Sequence, residues 1–562
     1  MRENVYGTLL EEYCDGLLRL QIKGAGRAFD GGFMCRSCKM IHGRSPDAVY
    51  PLAVMYKRTG KKKYLDAAIA VFHYGKNMEC DDGSLYNDAQ AGWLYTTVFH
   101  NIAVIETLNS LKGKLPNSFE AELTARARRM SEWLYRNLDE HSRPNINYCA
   151  SNALAMMLAY KLFGEDKYRA RAERLAKYTA EHFSENGLLF GESKNHDEVS
   201  PLGCRSVDIG YDLEETIPNL VKYAHIAGDE GLLSFLSEKL LSMTDFILPD
   251  GGLDNSFGVR NNKWTYYGSR TSDGICPAYL LLADRNPVFA EAAHRNAELL
   301  MRCSGSGLLY GGPHYQAHGE EPCTHHTFEH ANALAFAVDT IDEKYLIPAP
   351  CSLPIEQDGF CKYYREINTY KFTKGNLTAT VTGYDFNIPF SGHASGGTLT
   401  MLFGKNVGPM VAASVTDYVL VEPTNMQLPL KKSSHRSLTP RLVVDKDGAV
   451  YSSSWFASPT MKLSEGKDVR LAVKTGLSTI DGEQLALAPE IVYTLTGDKL
   501  KIEISHAEGL KFILPLIAGK MEVLQGTLIA GDEIFFLTGG FIATEHIVSP
   551  DENGKMTLVI RE

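Results

Sequence analysis

The stretch SENGLLFGE at residues 184–192 sets a glycine between a helical run and a short extended segment. The same construction returns as DDGSLYND (81–88), PDGGLDNS (249–256) and GSGLLYGG (305–312). Gly187, Gly251 and Gly307 lie roughly 55 to 65 residues apart, the period of a helical-hairpin repeat. Gly83 to Gly187 is about two such periods, and DEHSRPNINY (139–148) stands where the intervening turn is due. Between the glycine turns, a helix ends, a tight turn follows and a second helix starts: YKRTGKKKYLDAA (56–68), YKLFGEDKYRARA (160–172), YAHIAGDEGLLSF (223–235) and LLADRNPVFAEAA (281–293). Hairpins at this period stack as an open solenoid or close into an α/α toroid. Here the turns hold an unusual share of His, Asp, Glu, Tyr, Trp and Arg, and thirteen of the seventeen histidines precede residue 331. A toroid gathers such residues into one funnel, which suits sugar rings that stack on aromatic faces and hydroxyls that take polar groups.

The helical pattern covers residues 1–345. A proline-rich linker, 346–359, follows, marked by the three prolines of YLIPAPCSLP (345–354). From 360 to 562 the pattern alternates, as in YKFTKGNLTATVTGY, GGTLTMLF, KLKIEISH and KMTLVIRE, with no crossover helices between the strands. The expected fold is therefore a two-domain α + β chain: an N-terminal α/α toroid followed by a C-terminal antiparallel β-sandwich. A length of 562 residues agrees with more than one domain.

Net charge is −11 and the chain has no Lys/Arg-rich run, which argues against a nucleic-acid partner. No apolar run reaches membrane-spanning length, so no membrane partner is expected. The first residues carry acids where a signal peptide carries an apolar core; the expected location is cytoplasmic as the chain stands, and periplasmic if a leader was removed. Eleven scattered cysteines do not form a disulfide framework.

Candidate chemistry concentrates in a few stretches. Residues 251–274 crowd Arg260, Trp264, Tyr266, Tyr267, Arg270 and Asp273 into one loop. The bland account is a packed aromatic loop with a satisfied ion pair; the functional one has Arg270 holding a carboxylate in bidentate fashion. Residues 190–220 carry Glu192, His196, Asp208, Tyr211, Asp212, Glu214 and Glu215. Asp212-x-x-Glu215 fits a capping box, which makes those two caps rather than catalysts. Asp208, Glu214, Glu192 and Asp273 then remain as carboxyls for an acid/base pair. Cys35-x-x-Cys38 with His42 nearby is half a zinc site, but the chain has no second C-x-x-C, so the signal is weak. His42, Arg44 and Asp47 open a helix and are placed on the funnel wall. GAGRAF (24–29) lacks the third glycine and the context of a dinucleotide site, and no cofactor is expected.

HTFEH at 326–330 has the H-x-x-E-H spacing of an inverted zinc-protease motif. A third glutamate ligand is missing downstream: residues 367–421 contain no glutamate and read as strands. Thr324 reads as the N-cap of the last helix of the toroid. His326 and His330 then face inward with Leu334, as sugar-binding or proton-transfer groups.

CRSCKMIHGRSPDAVYPL (35–52), VDIGYDLEETIPNL (207–220), KWTYYGSRTSDG (263–274), CTHHTFEHANALA (323–335) and VAASVTDYVLVEPTNMQ (411–427) resemble bacterial proteins of glycoside hydrolase family 154, which includes β-glucuronidases. The overall plan is also similar to the heparinase II/III-like polysaccharide lyases. The resemblance implies an exo-acting hydrolase that removes a uronic acid from a complex glycan. On that reading Arg270, with Arg44 or Arg260, binds the uronate, and two of Asp208, Glu214, Glu192 and Asp273 do acid/base work. Trp264, Tyr267, Tyr211, His42, His330 and His196 complete the substrate-binding set. The alternative is a lyase acting by β-elimination, with Tyr266, Tyr267, His196 or His326 carrying protons. A third reading is a non-catalytic glycan-binding protein. In each case the partner is an oligo- or polysaccharide containing uronic acid, and a homo-oligomer is compatible with the sequence.

Overall fold

The computed structural model describes all residues except Met1, 89–91, 143, 387–391, 423–425, 431–434 and 530. Arg143 of the 139–148 stretch and residues 423–425 of the 411–427 stretch therefore lie outside the described residues. Among the described residues, fifteen α-helices form the first part of the chain: α1 (Val5–Leu20), α2 (Val49–Thr59), α3 (Lys62–Tyr74), α4 (Thr97–Ser110), α5 (Asn117–Asn137), α6 (Ile146–Phe163), α7 (Asp166–Ala180), α8 (Ile209–Tyr211), α9 (Ile217–Ala227), α10 (Glu230–Met243), α11 (Cys276–Leu281), α12 (Pro287–Arg302), α13 (Tyr315–His318), α14 (Thr324–Thr340) and α15 (Glu343–Leu346).

Six of them form an inner ring. α2 packs on α4, α4 on α6, α6 on α9, α9 on α11, α11 on α14, and α14 returns to α2. α3, α5, α7, α10 and α12 each cover the inner helix before them, and α1 covers α14. Composition follows position. α6 is buried on consecutive residues from Cys149 to Ala159 and has no polar face, as a helix enclosed on all sides should be. The outer α7 buries only Tyr168, Ala172, Leu175, Ala176 and Thr179, a single stripe. Gly60, Gly164 and Gly228 end α2, α6 and α9 in left-handed caps, so each inner helix turns directly into its outer partner.

The glycine turns after the outer helices do a second job. Gly83, Gly187, Gly251 and Gly307 have φ of +95°, +89°, +90° and +67°. A Cβ on Gly251 would lie 2.2 Å from Arg295 O, and one on Gly307 would lie 2.3 Å from Glu12 O. Gly83 approaches Arg129 O in the same way (2.7 Å), and Gly187 approaches Ser242 (2.8 Å). Every one of these neighbours sits on the next outer helix around the ring. Gly31, after α1, repeats the arrangement with φ +93° and Ala70 O at 2.1 Å, a member of the series that the sequence pattern did not separate from GAGRAF. Only glycine meets both demands, positive φ and close backbone approach.

Past residue 360 the described residues form three sheets of five, six and eight strands, antiparallel along every named pairing. The five-stranded sheet runs in the order Gly408–Ala412, Thr398–Gly404, Leu377–Thr382, Thr369–Lys374, Cys361–Tyr364. Phe372, Leu377 and Leu402 join an apolar core with Leu471, Tyr493, Leu500 and Leu558 of the six-stranded sheet and Leu514 of the eight-stranded one. Tyr364, Met401 and Phe403 instead belong to the core of the toroid. The five-stranded sheet is thus covered on both faces, which is why Thr398–Gly404 is buried throughout. The expected two-domain α + β architecture, toroid then sandwich, is the one observed.

One expectation about α14 is corrected. Cys323, not Thr324, is its N-cap residue, and no side chain caps it. Thr324 is already helical, so its hydroxyl cannot reach back to a free amide.

Between the toroid and the five-stranded sheet, Lys371 and Asp254 form a salt bridge with both side chains wholly buried. Thr380 Oγ1 donates to the same carboxylate at 2.5 Å. Replacing Lys371 with Met leaves an unpaired carboxylate there, and we expect a loss of about 3–5 kcal/mol in stability. Denaturant titration checks this; a loss below about 1 kcal/mol, the size of an exposed pair, would contradict it.

Candidate active site

Because every glycine turn lies at one end, the N-terminal turns of all six inner helices converge there. Arg44 and Asp47 precede α2, Trp93 and Tyr95 precede α4, Asn147 and Tyr148 open α6, Asp208–Glu215 lead into α9, Asp273 precedes α11, and His325–His330 open α14. Helix N-termini carry positive potential, so this end of the ring favours anions.

An aromatic group stands at the edge of this cluster. Trp93 is 42% exposed, donates from Nε1 to Tyr148 Oη at 2.7 Å and packs edge-on against Tyr95. Phe99 joins it to Arg44, whose guanidinium lies 4.5 Å above the Phe99 ring. Sequence reasoning missed Trp93, Tyr95 and Tyr148, although the first two directly follow a repeat turn and Tyr148 lies in the stretch that replaces one.

The carboxyl groups are arranged differently from the sequence expectation. Asp208 is the N-cap: it accepts from Tyr211 N at 2.9 Å, Asn255 Nδ2 at 3.2 Å and Arg260 N at 3.2 Å. Residues Asp212–Thr216 form a π-helical turn, not a capping box. A π turn offsets the register and turns side chains inward, a device common at functional sites. Both Asp212 carboxyl oxygens are buried without a hydrogen-bond partner among the described residues. Asn147 donates to Glu215. The roles assigned from sequence therefore change: Asp208 caps, while Asp212 and Glu215 do not. Glu214 is also committed, accepting from Ser269 N at 2.6 Å and lying 3.5 Å from His330 Nε2.

Burial sets the charge of this cluster. It pushes Glu215 up to about 8 against the pull of Arg44 and Asn147. It pushes Glu192 up to about 7 against Arg260. Asp212 rises well above the usual range through burial and the neighbouring Glu192 and Asp208. Burial also raises Glu214, Asp273 and Glu329, the last well above its ordinary value. Glu215, pushed up to about 8, is thus a carboxylic acid near neutral pH and can donate a hydrogen bond.

Positive charge is interleaved with these acids. Arg260 sits 4.5 Å above the Tyr211 ring and 3.3 Å from Glu192 Oε2. Lys263 Nζ is 3.4 Å from Tyr211 Oη and 2.6 Å from Glu422 of the second domain. Tyr211 Oη is 2.5 Å from Thr271 Oγ1. Arg44 Nε donates to Asp47 at 3.0 Å, and its Nη2 lies 2.9 Å from Glu329.

Other expected site residues are held elsewhere. Trp264 is 1% exposed, with Nε1 donating to Leu253 O at 3.1 Å, so no ring face is free to stack on a sugar. Tyr266 donates to Asp250 and packs on Phe541 of the second domain. Tyr267 donates to Tyr310 O at 2.9 Å. Arg270 binds Gln427 at 2.7 Å and Tyr315 at 3.0 Å, so it does not present a free fork to a substrate carboxylate. His196 lies between Tyr178 Oη at 2.8 Å and Pro144 O at 2.5 Å. His326 faces Tyr267 Oη at 3.1 Å, and burial with the nearby Arg270 keeps it well below its ordinary pKa.

His326 and His330 belong to no three-ligand group among the described residues, so H-x-x-E-H does not build a zinc-protease centre. Two other groups could hold a metal: Cys35, Cys38, His42 and Cys323; and His318, Glu320 and His435. His42, expected among the sugar-binding residues, lies beside the thiols of the first group. Its ring packs on His325, centroids 4.8 Å apart, with the three thiols on hand.

Residues 10–355 match the family described as the ulvan lyase N-terminal domain, and residues 361–528 match the ulvan lyase C-terminal domain. The chain belongs to the ulvan lyase family. A broad-specificity ulvan lyase of Formosa agariphila is 33% identical over 539 residues, covering 93% of this chain and 84% of that protein. Among solved structures, the chain is similar to heparan sulfate lyase HepC of Pedobacter heparinus, with TM-score 0.44, 11% identity and coverage of 98% of this chain and 82% of that one. It is also similar to a D-mannose isomerase, with TM-score 0.45, 14% identity and coverage of 60% and 98%.

Membership of the ulvan lyase family overturns the glycoside hydrolase expectation and the family 154 resemblance with it. The geometry shows why the acid/base argument failed. Asp208, one of its four carboxyls, is committed to the amides of Tyr211 and Arg260 and to Asn255, and Glu214 Oε2 accepts from Ser269 N.

The raised acids give the fold a pH signature. An unfolded glutamate titrates near 4.3, so above that pH the unfolded chain has lost a proton that folded Glu215 keeps. Stability from this group is fully present below about pH 4.3 and falls as pH rises toward about 8. Glu215→Gln should flatten the slope by up to about 1.4 kcal/mol per pH unit across that window. Thermal melts of both proteins at pH 5 to 9 read the difference; parallel curves would contradict it.

Proposed function

We propose that this chain is a polysaccharide lyase that cleaves a uronate-containing glycan of the ulvan kind by β-elimination. Its family membership and the printed activity of its Formosa agariphila relative support the reaction class. The observation that carries the assignment of roles is the buried Tyr211 hydroxyl, set between Thr271 and Lys263 beneath the Arg260 guanidinium.

Elimination needs three things: neutralisation of the uronate carboxylate, removal of the C5 proton, and a proton for the departing O4. The carboxylate makes C5 acidic only when its charge is offset. Glu215 as a carboxylic acid, with the Asn147 amide beside it, is suited to receive that carboxylate, and Arg260 and Lys263 add positive charge. Tyr211 precedes Glu215 by four residues on the same stretch, which places a proton carrier next to the carboxylate-binding group. The phenolate of Tyr211 takes the C5 proton. The C5–H electron pair forms C4=C5, the C4–O4 bond breaks, and the phenol returns a proton to O4. No water is consumed. The aromatic group of Trp93 and Tyr148 is placed to stack on flanking sugars.

The test is digestion of ulvan while following the near-ultraviolet absorbance of the unsaturated uronate. The intact chain should raise it, and Tyr211→Phe should lower kcat by about 10²–10⁴-fold. A Tyr211→Phe enzyme with full kcat would remove the tyrosine from this role. Products without new absorbance would overturn the elimination itself.

A further inference from the structure

Four side chains from opposite ends of the toroid sequence meet at its rim. Cys35 and Cys38 belong to the hairpin Met34–Cys35/Met40–Ile41, His42 follows it directly, and Cys323 immediately precedes α14. The Cys323 sulfur lies 3.7 Å from that of Cys35 and 3.6 Å from that of Cys38. The four ligand atoms all lie within 4.8 Å of one another. Each residue is at least nine-tenths buried: Cys35 is 0% exposed, Cys323 1%, His42 2% and Cys38 7%.

These spacings point to one kind of occupant. A disulfide needs sulfurs about 2.05 Å apart and joins two cysteines, not three. Sulfurs that share a tetrahedral zinc at about 2.3 Å each lie about 3.8 Å from one another. The Cys38 amide nitrogen is 3.4 Å from Cys35 Sγ, the kind of outer hydrogen bond that steadies a metal-bound thiolate. Lys39 takes φ +56°, which turns the chain between Cys38 and the second strand of the hairpin. His42 Nε2 is buried with no hydrogen-bond partner among the described residues. An imidazole nitrogen buried without a partner is costly unless something binds it.

We propose that Cys35, Cys38, His42 and Cys323 bind one zinc ion in a closed Cys₃His site. Thiolate-rich sets select zinc over the hard oxygen-seeking cations. All four positions are filled by protein, which marks a structural rather than a catalytic site. On binding, three thiols release their protons and the histidine enters neutral. The ion ties the segment leading into α2, the first inner helix, to the N-terminus of α14, the last. It therefore clasps the ring where the chain closes it. Arg44 lies two residues beyond His42, and Glu329 lies two turns into α14. The clasp thus sets the distance across which Arg44 meets Glu329, 2.9 Å in the structure.

The test uses the full chain, purified without chelators and analysed by elemental mass spectrometry. One zinc per chain is expected. Replacement by cobalt should give the visible bands and thiolate charge-transfer absorption of a tetrahedral three-thiolate site. Cys323→Ser should lose the metal, whereas His42→Cys should keep it as a four-thiolate site. A strong zinc chelator should lower the melting temperature of the intact chain, and added zinc should restore it. If Cys323→Ser does not fold, the metal content and cobalt spectrum of the intact chain still decide. Intact protein that carries no stoichiometric zinc and melts at the same temperature with and without chelator would overturn the proposal. So would a cobalt spectrum without thiolate absorption.

Discussion

After each glycine turn the chain must pass so close to the next outer helix that no side chain fits between them. At Gly251 the gap to Arg295 O leaves no room for a Cβ, and the backbone is also left-handed there. This contact holds neighbouring hairpins at one spacing and in one orientation. It sends every inner helix off in the same direction, and all inner N-termini finish at one end. The chemistry of the molecule follows from that placement, because aligned helix N-termini make a positive basin from backbone alone. The gap between α5 and α6, where no glycine stands, is filled by the 139–148 stretch, and that stretch contributes Asn147 and Tyr148 to the site.

A positive basin lined with acids looks contradictory until burial is considered. Burial raises Glu192, Asp212, Glu214, Glu215, Asp273 and Glu329, and Glu215, pushed up to about 8, keeps its proton near neutral pH. Glu215 can then act as a hydrogen-bond donor, and Arg44, Arg260 and Lys263 supply the positive charge among the acids. The second domain is part of this electrostatic balance. Glu422 pairs with Lys263 and lies near Arg260, and Gln427 holds Arg270. The sandwich is thus part of the site as well as a support beneath it, and the buried Lys371–Asp254 pair fixes its position.

The ring and the sandwich were legible because both rest on periodic signals, hairpin spacing in one and alternation in the other. The site was legible only as a region. Asp212-x-x-Glu215 matches a capping box in letters, but the cap is Asp208, four residues earlier, because the chain enters α8 before α9 and passes through a π turn between them. Capping depends on where the backbone starts to coil, and two overlapping patterns cannot be separated by spacing. The aromatic loop 251–274 resembled a sugar platform since sequence does not reveal that the second domain covers it; Gly539 lies against Trp264. Cys35 and Cys38 looked like half a site because their third thiol, Cys323, is 285 residues beyond Cys38 and is brought near only when the ring closes. Tyr211 was seen as a binding residue, and nothing in its immediate letters distinguishes it from Tyr266 or Tyr267.

The central claim is that the glycosidic bond breaks by elimination rather than by addition of water. Digestion of ulvan in water enriched with ¹⁸O, followed by mass spectrometry of the fragments, tests this most directly. The account predicts that the two products together have the mass of the starting chain, that neither gains ¹⁸O beyond slow exchange at the reducing end, and that each cut leaves one unsaturated uronate. Fragments heavier by one labelled water per cut, with no unsaturated end, would contradict it.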